Sequence, residues 1–343
     1  MAEKLKEAVL YEPMHGKRVH CFLCNWHCKI SDGNRGLCNV RQNIDGKLYS
    51  LNYHKLCAAN SDPIEKKPLF HFQPGSKAFS IAAQGCNFRC NFCQNWHISQ
   101  IVRNDGVLEG QMIEPARLVD FAIKDNCKSM AYTYTEPTIF MELAADCAVL
   151  AKHKGLTNVF VSNGFMTREA IDFAKDWMDG INVDLKSFSE QYYKKLCKAK
   201  LKPVLDTIDY IANHTDIWME LTTLIVPGDN DSETELRQIA EYIFNTCGPD
   251  MPWHISRFYP QYHHTNAEAT PVSTLQLAYD IAKEVGLHYV YIGNLRTRKG
   301  ENTYCPKCEH LLIEREGYFI AKNRIVNSSC PDCGEKIAGF ELS

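Results

Sequence analysis

Long apolar runs are missing from this sequence: no stretch approaches the roughly 20 uncharged apolar residues of a membrane span. The opening segment, MAEKLKEAVLYEP, has no apolar h-region of a secretory leader. These two absences predict a soluble, cytoplasmic protein with no membrane partner. Neither charge sign dominates: 38 Lys and Arg face 41 Asp and Glu, a formal net charge of -3 over 343 residues, so nothing pulls the whole chain toward nucleic acid or an anionic surface. Internal repeats and low-complexity runs are absent too. With 45% hydrophobic and 23% charged residues, disorder is excluded, and the length suits one large domain with appendages.

Cysteine, by contrast, is abundant. Of 16 cysteines, eleven fall into three clusters: Cys21, Cys24, Cys28 and Cys38; Cys86, Cys90 and Cys93; and Cys305, Cys308, Cys330 and Cys333. A disulfide framework would spread an even set over a small secreted chain, whereas thiols two or three residues apart suit convergence on a metal. The other five, Cys57, Cys127, Cys147, Cys197 and Cys247, stand alone and read as small buried residues.

Between about residues 78 and 293, β-branched runs alternate with amphipathic helical patterns in six or seven units. That alternation predicts an α/β fold, a partial (β/α)6-type barrel. The domain reading is a Cys-rich metal-binding region over 1–60, a linker over 61–77 (SDPIEKKPLFHFQPGSK), the barrel over 78–300 and a metal-binding tail over 301–343. Glu136, Ser162 with Asn163, Asp184 with Lys186, and Gly228 all follow candidate strands, on the face where β/α barrels place their chemistry. Strand-to-helix loops also need caps and turns, so each taken alone has a structural explanation.

The stretch QGCNFRCNFCQNWHISQ sets Cys86, Cys90 and Cys93 in a C-x3-C-x2-C array directly after the first barrel strand. Three thiolates on a 4Fe-4S cube leave one iron open to a substrate or cofactor, which makes three a catalytic number. A structural zinc site completed by His97 is the alternative. The array, with Phe92 before its third cysteine, resembles the radical S-adenosylmethionine superfamily. The resemblance implies that the methionine amino and carboxylate groups chelate the open iron, and that reductive cleavage yields a 5'-deoxyadenosyl radical.

YTYTEPT, VSNGF, VDLKSF and LIVPGDND resemble elements of the pyruvate formate-lyase activating type. This implies that Glu136 binds the methionine amine, that Ser162, Asn163, Asp184 and Lys186 contact the cofactor, and that Val226 and Gly228 line it by backbone. Tyr134 and Thr135 stand where those enzymes carry two glycines before the glutamate. His254 and His263 are both candidates for a cofactor histidine. Together with CFLCNWHCKISDGNRGLCNVRQNIDGKLYSL, DPIEKKPLFHFQPGS, WHISRFYPQY and YVYIGN, the chain is similar to the AmmeMemoRadiSam system radical SAM enzymes, a family named for occurring alongside Memo-like and AMME-type proteins. The resemblance implies an anaerobic enzyme that takes electrons from a donor such as flavodoxin or ferredoxin. It leaves the substrate open, either a small molecule or a protein-bound group.

In the tail, CPKC and CPDC lie 21 residues apart and read as a zinc ribbon with a hairpin between two knuckles. The first cluster, C-x2-C-x3-C-x9-C, is expected to be a second zinc knuckle, with an auxiliary iron-sulfur cluster as the alternative. Two other functional classes are weighed against the hydrogen-abstracting enzyme. One is an activase that installs a glycyl radical on a partner protein. The other is an RNA-binding or RNA-modifying metal protein gripping phosphate through YYKKLCKAKLKP and NLRTRKG; the net charge disfavours it, and the aromatic and lysine positions of YYKKLCKAKLKP read instead as a solvated helix face.

Overall fold

The structure, a computed structural model, describes residues 5–100, 108–295 and 300–343. Among these residues, seven strands form one parallel sheet: β1 (Lys77–Ala83), β2 (Ser129–Tyr132), β3 (Thr157–Ser162), β4 (Gly180–Asp184), β5 (Trp218–Ile225), β6 (Trp253–Arg257) and β7 (Val290–Gly293). Each pairs with the next in chain order. The strands read as continuous apolar runs because both faces are covered; all four residues of β2 are buried. β7 forms one edge of the sheet. The antiparallel strand Lys55–Pro63 covers β1 on the other side, so the barrel stays open.

The helices α1 (Pro115–Lys124), α2 (Met141–His153), α3 (Arg168–Ala174), α4 (Lys202–His214), α5 (Glu233–Cys247) and α6 (Val272–Val285) fill the connections. Their ends follow local chemistry. α1 opens on Pro115, where a missing N–H costs nothing, and buries Leu118, Val119 and Ala122 at helical spacing. The Ser232 hydroxyl accepts the Glu235 N–H at the start of α5. α6 stops at Gly286, φ +107°, where a Cβ would sit 3.1 Å from the Phe244 ring.

Residues 6–50 form two three-stranded antiparallel sheets against the barrel. A buried ion pair between Arg41 and Glu142 of α2 ties them down, helped by the Val9 N–H donating to Glu142 at 2.8 Å. The tail is a third small sheet, Thr303–Tyr304, Leu311–Glu316 and Phe319–Asn323.

Residues 61–77 do not behave as an exposed linker. Ile64, Lys67, Leu69, Phe70, His71 and Phe72 are all buried. The reason is Glu220 on β5: its carboxylate accepts the Phe70 and His71 N–H groups at 2.9 and 2.7 Å, along with Trp218 Nε1 and His254 Nε2. The same segment anchors the tail. Arg315 donates to the Phe70 carbonyl at 2.8 Å and stacks over the Phe70 ring, while His71 Nδ1 meets the Ala338 carbonyl at 2.7 Å and Nε2 meets the Tyr291 hydroxyl at 2.6 Å. These partners suit a neutral imidazole, with Nδ1–H donating and Nε2 accepting.

Burial lowers the His71 pKa from 6.5 to about 4. The unfolded chain therefore binds a proton between those values that the folded chain does not. Stability contributed by the neutral ring is complete above pH 6.5 and is lost as pH falls toward 4. Urea midpoints should drop between pH 7 and pH 5, and His71→Gln should be less stable at pH 7 yet show a shallower pH dependence. An equally steep dependence in that variant would assign the acid sensitivity to other groups.

Candidate active site

The β1 strand leads into the cysteine loop through Gly85, φ +109°, where a Cβ would come within 2.7 Å of Val40. Beyond it the loop is braced from below. Arg89 and Asn91 donate their backbone N–H groups to the carbonyls of Cys197 and Leu196 at 2.9 and 3.0 Å, and the Cys197 thiol lies beside Cys90. Phe88 and Phe92 are buried pegs, packed on Phe165 and Tyr192. Cys86 receives the Phe88 N–H at 3.3 Å, and Cys93 lies 3.2 Å from the Ser99 hydroxyl.

Cys86, Cys90 and Cys93 face one cavity of about 1910 Å³, open mouth included, at the C-terminal ends of the strands. The cavity also gathers Phe92, Tyr134, Thr135, Glu136, Ser162, Asn163, Asp184 and Lys186. Four strand-end segments distant in sequence thus meet at one rim. Val226 and Gly228 are not part of it. After Ile225 the chain folds back, the Asn230 side chain captures the Val226 N–H at 2.6 Å, and Val226 is buried. Thr222 and Leu224 line the cavity from β5 in their place. His254 lies on this cavity, whereas His263 lines a separate cleft with Trp26 and Asn87.

Glu136 organises the rim. One carboxylate oxygen accepts from Thr138 N at 3.1 Å, Thr138 Oγ1 at 2.5 Å and Ser162 Oγ at 2.8 Å; the other accepts from Asn163 N at 2.8 Å. Burial pushes its pKa up, and these donors pull it back. Asn163 in turn donates to Asn87 Oδ1 at 2.7 Å, beside Cys86. Across the cavity, Lys186 Nζ lies 2.8 Å from Asp184. Burial works against the Lys186 charge, but Asp184, Cys90 and Cys197 hold its pKa well above the usual lysine range.

Tyr134 occupies the left-handed region, φ +63°. That conformation costs a residue with a Cβ on the order of 1–2 kcal/mol. The side chain supplies compensation that a glycine could not. Its hydroxyl donates to Asp62, and Lys67 Nζ lies 4.4 Å from the ring centroid and 2.7 Å from Asp62. Burial works against the Asp62 charge, yet hydrogen bonds from Lys66, Lys67 and Tyr134 hold its pKa well below the usual carboxylate range, while burial lowers Lys67 to about 8.

Several residues of this site escaped the reading of the sequence. Thr222 Oγ1 is buried, lines the cavity and has no protein partner among the described residues, as a ligand contact would. Its period-2 relation to Leu224 on β5 is the signal that could have found it. Cys197 reads as an ordinary small residue, yet it buttresses Cys90. In YYKKLCKAKLKP the lysines Lys194, Lys195, Lys198, Lys200 and Lys202 are exposed, as expected of a solvated face, but Tyr192, Tyr193 and Cys197 are buried beneath the cysteine loop. In NLRTRKG, residues 296–299 lie outside the described residues. Tyr318, from the tail hairpin, lines the cavity mouth.

The tail brings a second donor set together. Cys305, Cys308, Cys330 and Cys333 place all four ligand atoms within 4.8 Å of one another, with two sulfur pairs at 3.6 Å. That spacing fits one tetrahedral ion.

A parallel α/β sheet that collects three thiols and a polar cleft at its strand ends defines a cofactor-dependent enzyme. Comparison with known proteins gives the family. The model of the radical SAM superfamily matches residues 80–243. An uncharacterised protein of Methanocaldococcus jannaschii is 44% identical over 97% of this chain and 99% of its own length. A second protein of that organism, provisionally named a glycyl-radical enzyme activating enzyme, is 26% identical over 63% of this chain and 79% of its own. Among solved structures, Streptococcus suis SuiB bound to S-adenosylmethionine shares the fold, with a TM-score of 0.50 and 9% identity over 67% of this chain and 53% of that one. The chain belongs to the radical SAM superfamily and is homologous to glycyl-radical enzyme activases.

Cys197 lies behind Cys90 and does not line the cavity, so it is placed to brace the loop, not to close a fourth coordination position. Cys197→Ala should keep the iron content of the wild type after anaerobic reconstitution, while Cys90→Ala should lose about four irons per chain. Equal iron loss in both variants would make Cys197 a ligand.

Proposed function

We propose that this chain cleaves S-adenosylmethionine reductively and uses the resulting radical to abstract hydrogen from a substrate. The observation that carries this reading is the single cavity shared by Cys86, Cys90, Cys93, Glu136, Asp184 and Lys186. When bound, a 4Fe-4S cube with S-adenosylmethionine on its open iron supplies one-electron cleavage of the C5'–S bond and a 5'-deoxyadenosyl radical.

The residues present fit that pair of groups. Three thiols face the cavity, with Cys197 withdrawn behind them, which suits a cube with one iron left open. Glu136 stands ready for an ammonium group: a cation beside the buried carboxylate offsets the burial that raises its pKa. Glu136 also positions Ser162 and Asn163. Lys186 offers an ammonium for a carboxylate, with Asp184 fixing its direction. The free Thr222 hydroxyl and the Leu224 side chain supply one polar and one apolar contact. Asp62 and Lys67 hold the Tyr134 backbone that leads into Glu136.

The substrate is a small molecule or a protein-bound group. Memo-like and AMME-type proteins are candidate partners on the strength of the sequence resemblance, and flavodoxin or ferredoxin are candidate donors. In the tail, sulfur pairs at 3.6 Å are close to the roughly 3.8 Å expected for a tetrahedron with Zn–S bonds near 2.3 Å, which supports a structural zinc ribbon. The 26% identical relative named for glycyl-radical activation favours a second reading, an activase acting on a protein glycine.

Anaerobically reconstituted protein, given reductant and S-adenosylmethionine, should form 5'-deoxyadenosine, and the Cys86/Cys90/Cys93→Ala variant should form none. Undiminished formation by that variant would sink the assignment. Deuterium tracked into 5'-deoxyadenosine separates the two readings: transfer from a labelled metabolite supports a small substrate, and a glycyl radical signal on a partner protein supports the activase.

Removing a charged hydrogen bond at a buried site costs about 1.5–3 kcal/mol. Glu136→Ala should therefore weaken S-adenosylmethionine binding by roughly ten- to a hundredfold, as read by equilibrium binding. Unchanged affinity in a folded variant would reduce Glu136 to the cap of the turn at Pro137–Phe140.

A further inference from the structure

We propose that Cys21, Cys24, Cys28 and Cys38 hold a second 4Fe-4S cube, one that passes single electrons to the barrel cluster; its role as a relay rests on the function proposed above. The zinc knuckle expected from their spacing in sequence does not match their arrangement in space. Four thiolates on one zinc sit about 3.8 Å from each other, given Zn–S bonds of roughly 2.3 Å. The tail quartet meets that requirement. Among the described residues, it is also the only group of three or more metal-ligating side chains whose ligand atoms all come within 4.8 Å of one another. No three sulfurs of the first quartet come that close together.

The wider spread encloses a space. All four cysteines line one closed, apolar hollow, walled by Leu23, Trp26, Ile30 and Ile139. A cube binds each thiolate to a different iron and needs both the wider spacing and the hollow; a single ion needs neither. The charge also suits a thiolate-ligated cluster. Arg41 lines the hollow, fully buried, with Nη1 3.8 Å from Cys21 Sγ and its other amino group paired to Glu142. Four protein ligands leave no iron open, so the site suits electron transfer and not substrate binding.

Its position connects it to the active site. Trp26, two residues after Cys24, lines the hollow and donates from Nε1 to the Asn87 carbonyl at 2.9 Å, next to Cys86. Cys24 itself bridges to Met166 in the β3–α3 loop. A reduced one-electron carrier such as ferredoxin or flavodoxin loses one electron to this cube, and the cube is reoxidised by passing that electron to the barrel cluster. No bond forms or breaks.

Metal analysis after anaerobic reconstitution with iron, sulfide and zinc tests the assignment. Wild type should hold about eight irons and one zinc per chain, and the Cys86/Cys90/Cys93→Ala variant about four irons and one zinc. About four irons and two zincs in wild type, with no iron in that variant, would overturn the second cube. Loss of iron from the barrel is read separately in Cys24→Ser/Cys28→Ser, whose remaining iron reports the barrel cluster alone. The relay has its own readout. The electron paramagnetic resonance spectrum of dithionite-reduced wild type should be broadened or split beyond the sum of the two variants' spectra, because neighbouring reduced cubes couple magnetically. A simple sum would place the two cubes too far apart for the relay.

Discussion

The distance at which a chain holds its thiolates from one another decides what they can bind. Sulfurs that nearly touch share one ion, as the tail cysteines at 3.6 Å are placed to do. Sulfurs spread around a hollow can each take a separate iron, as those around the Arg41 side chain are. Three on one wall of a larger cavity would leave the fourth corner of a cube open toward polar side chains, and that corner is where chemistry would become possible. The small sheets, the parallel barrel and the tail hairpin each serve to set one of these spacings.

Around the barrel cavity, the positions depend on buried charges that each hold several elements. Glu136 gathers donors from its own turn and from the end of β3. Glu220 does the same below the rim, and so pins residues 70 and 71 into the barrel and gives Arg315 and Ala338 of the tail a surface to hold. A buried carboxylate with one unmatched oxygen would be costly, so each hub fixes several elements together. The Tyr134 backbone, strained in isolation, persists because Asp62 and Lys67 restrain its side chain.

Local features were legible in the sequence. The alternation of strand and helix, the Gly286 stop and the three clusters of cysteines depend on neighbours a few residues apart, and the α/β sheet follows that alternation. Most of the rim was legible too, because strand ends in a parallel sheet converge. What the sequence hid was tertiary. A C-x2-C-x3-C-x9-C pattern states which thiols can meet but not how closely, so it leaves a zinc knuckle and an iron-sulfur cluster both open. Residues 61–77 read as a linker, and only the fold shows Glu220 on β5 accepting their Phe70 and His71 N–H groups. Cys197 looks ordinary because its partner, Cys90, is 107 positions away. Val226 and Gly228 sit beyond the point where Asn230 turns the chain, a fold-back that a strand pattern does not reveal.

The central claim is that the barrel cluster keeps one iron for S-adenosylmethionine. Electron-nuclear double resonance on the reduced, anaerobic protein, with the cofactor labelled by 17O in its carboxylate and 15N in its amine, tests it most directly. The account predicts hyperfine coupling from both labels, with both couplings abolished in the Cys86/Cys90/Cys93→Ala variant. A reduced cluster that shows neither coupling while saturated with S-adenosylmethionine would contradict it.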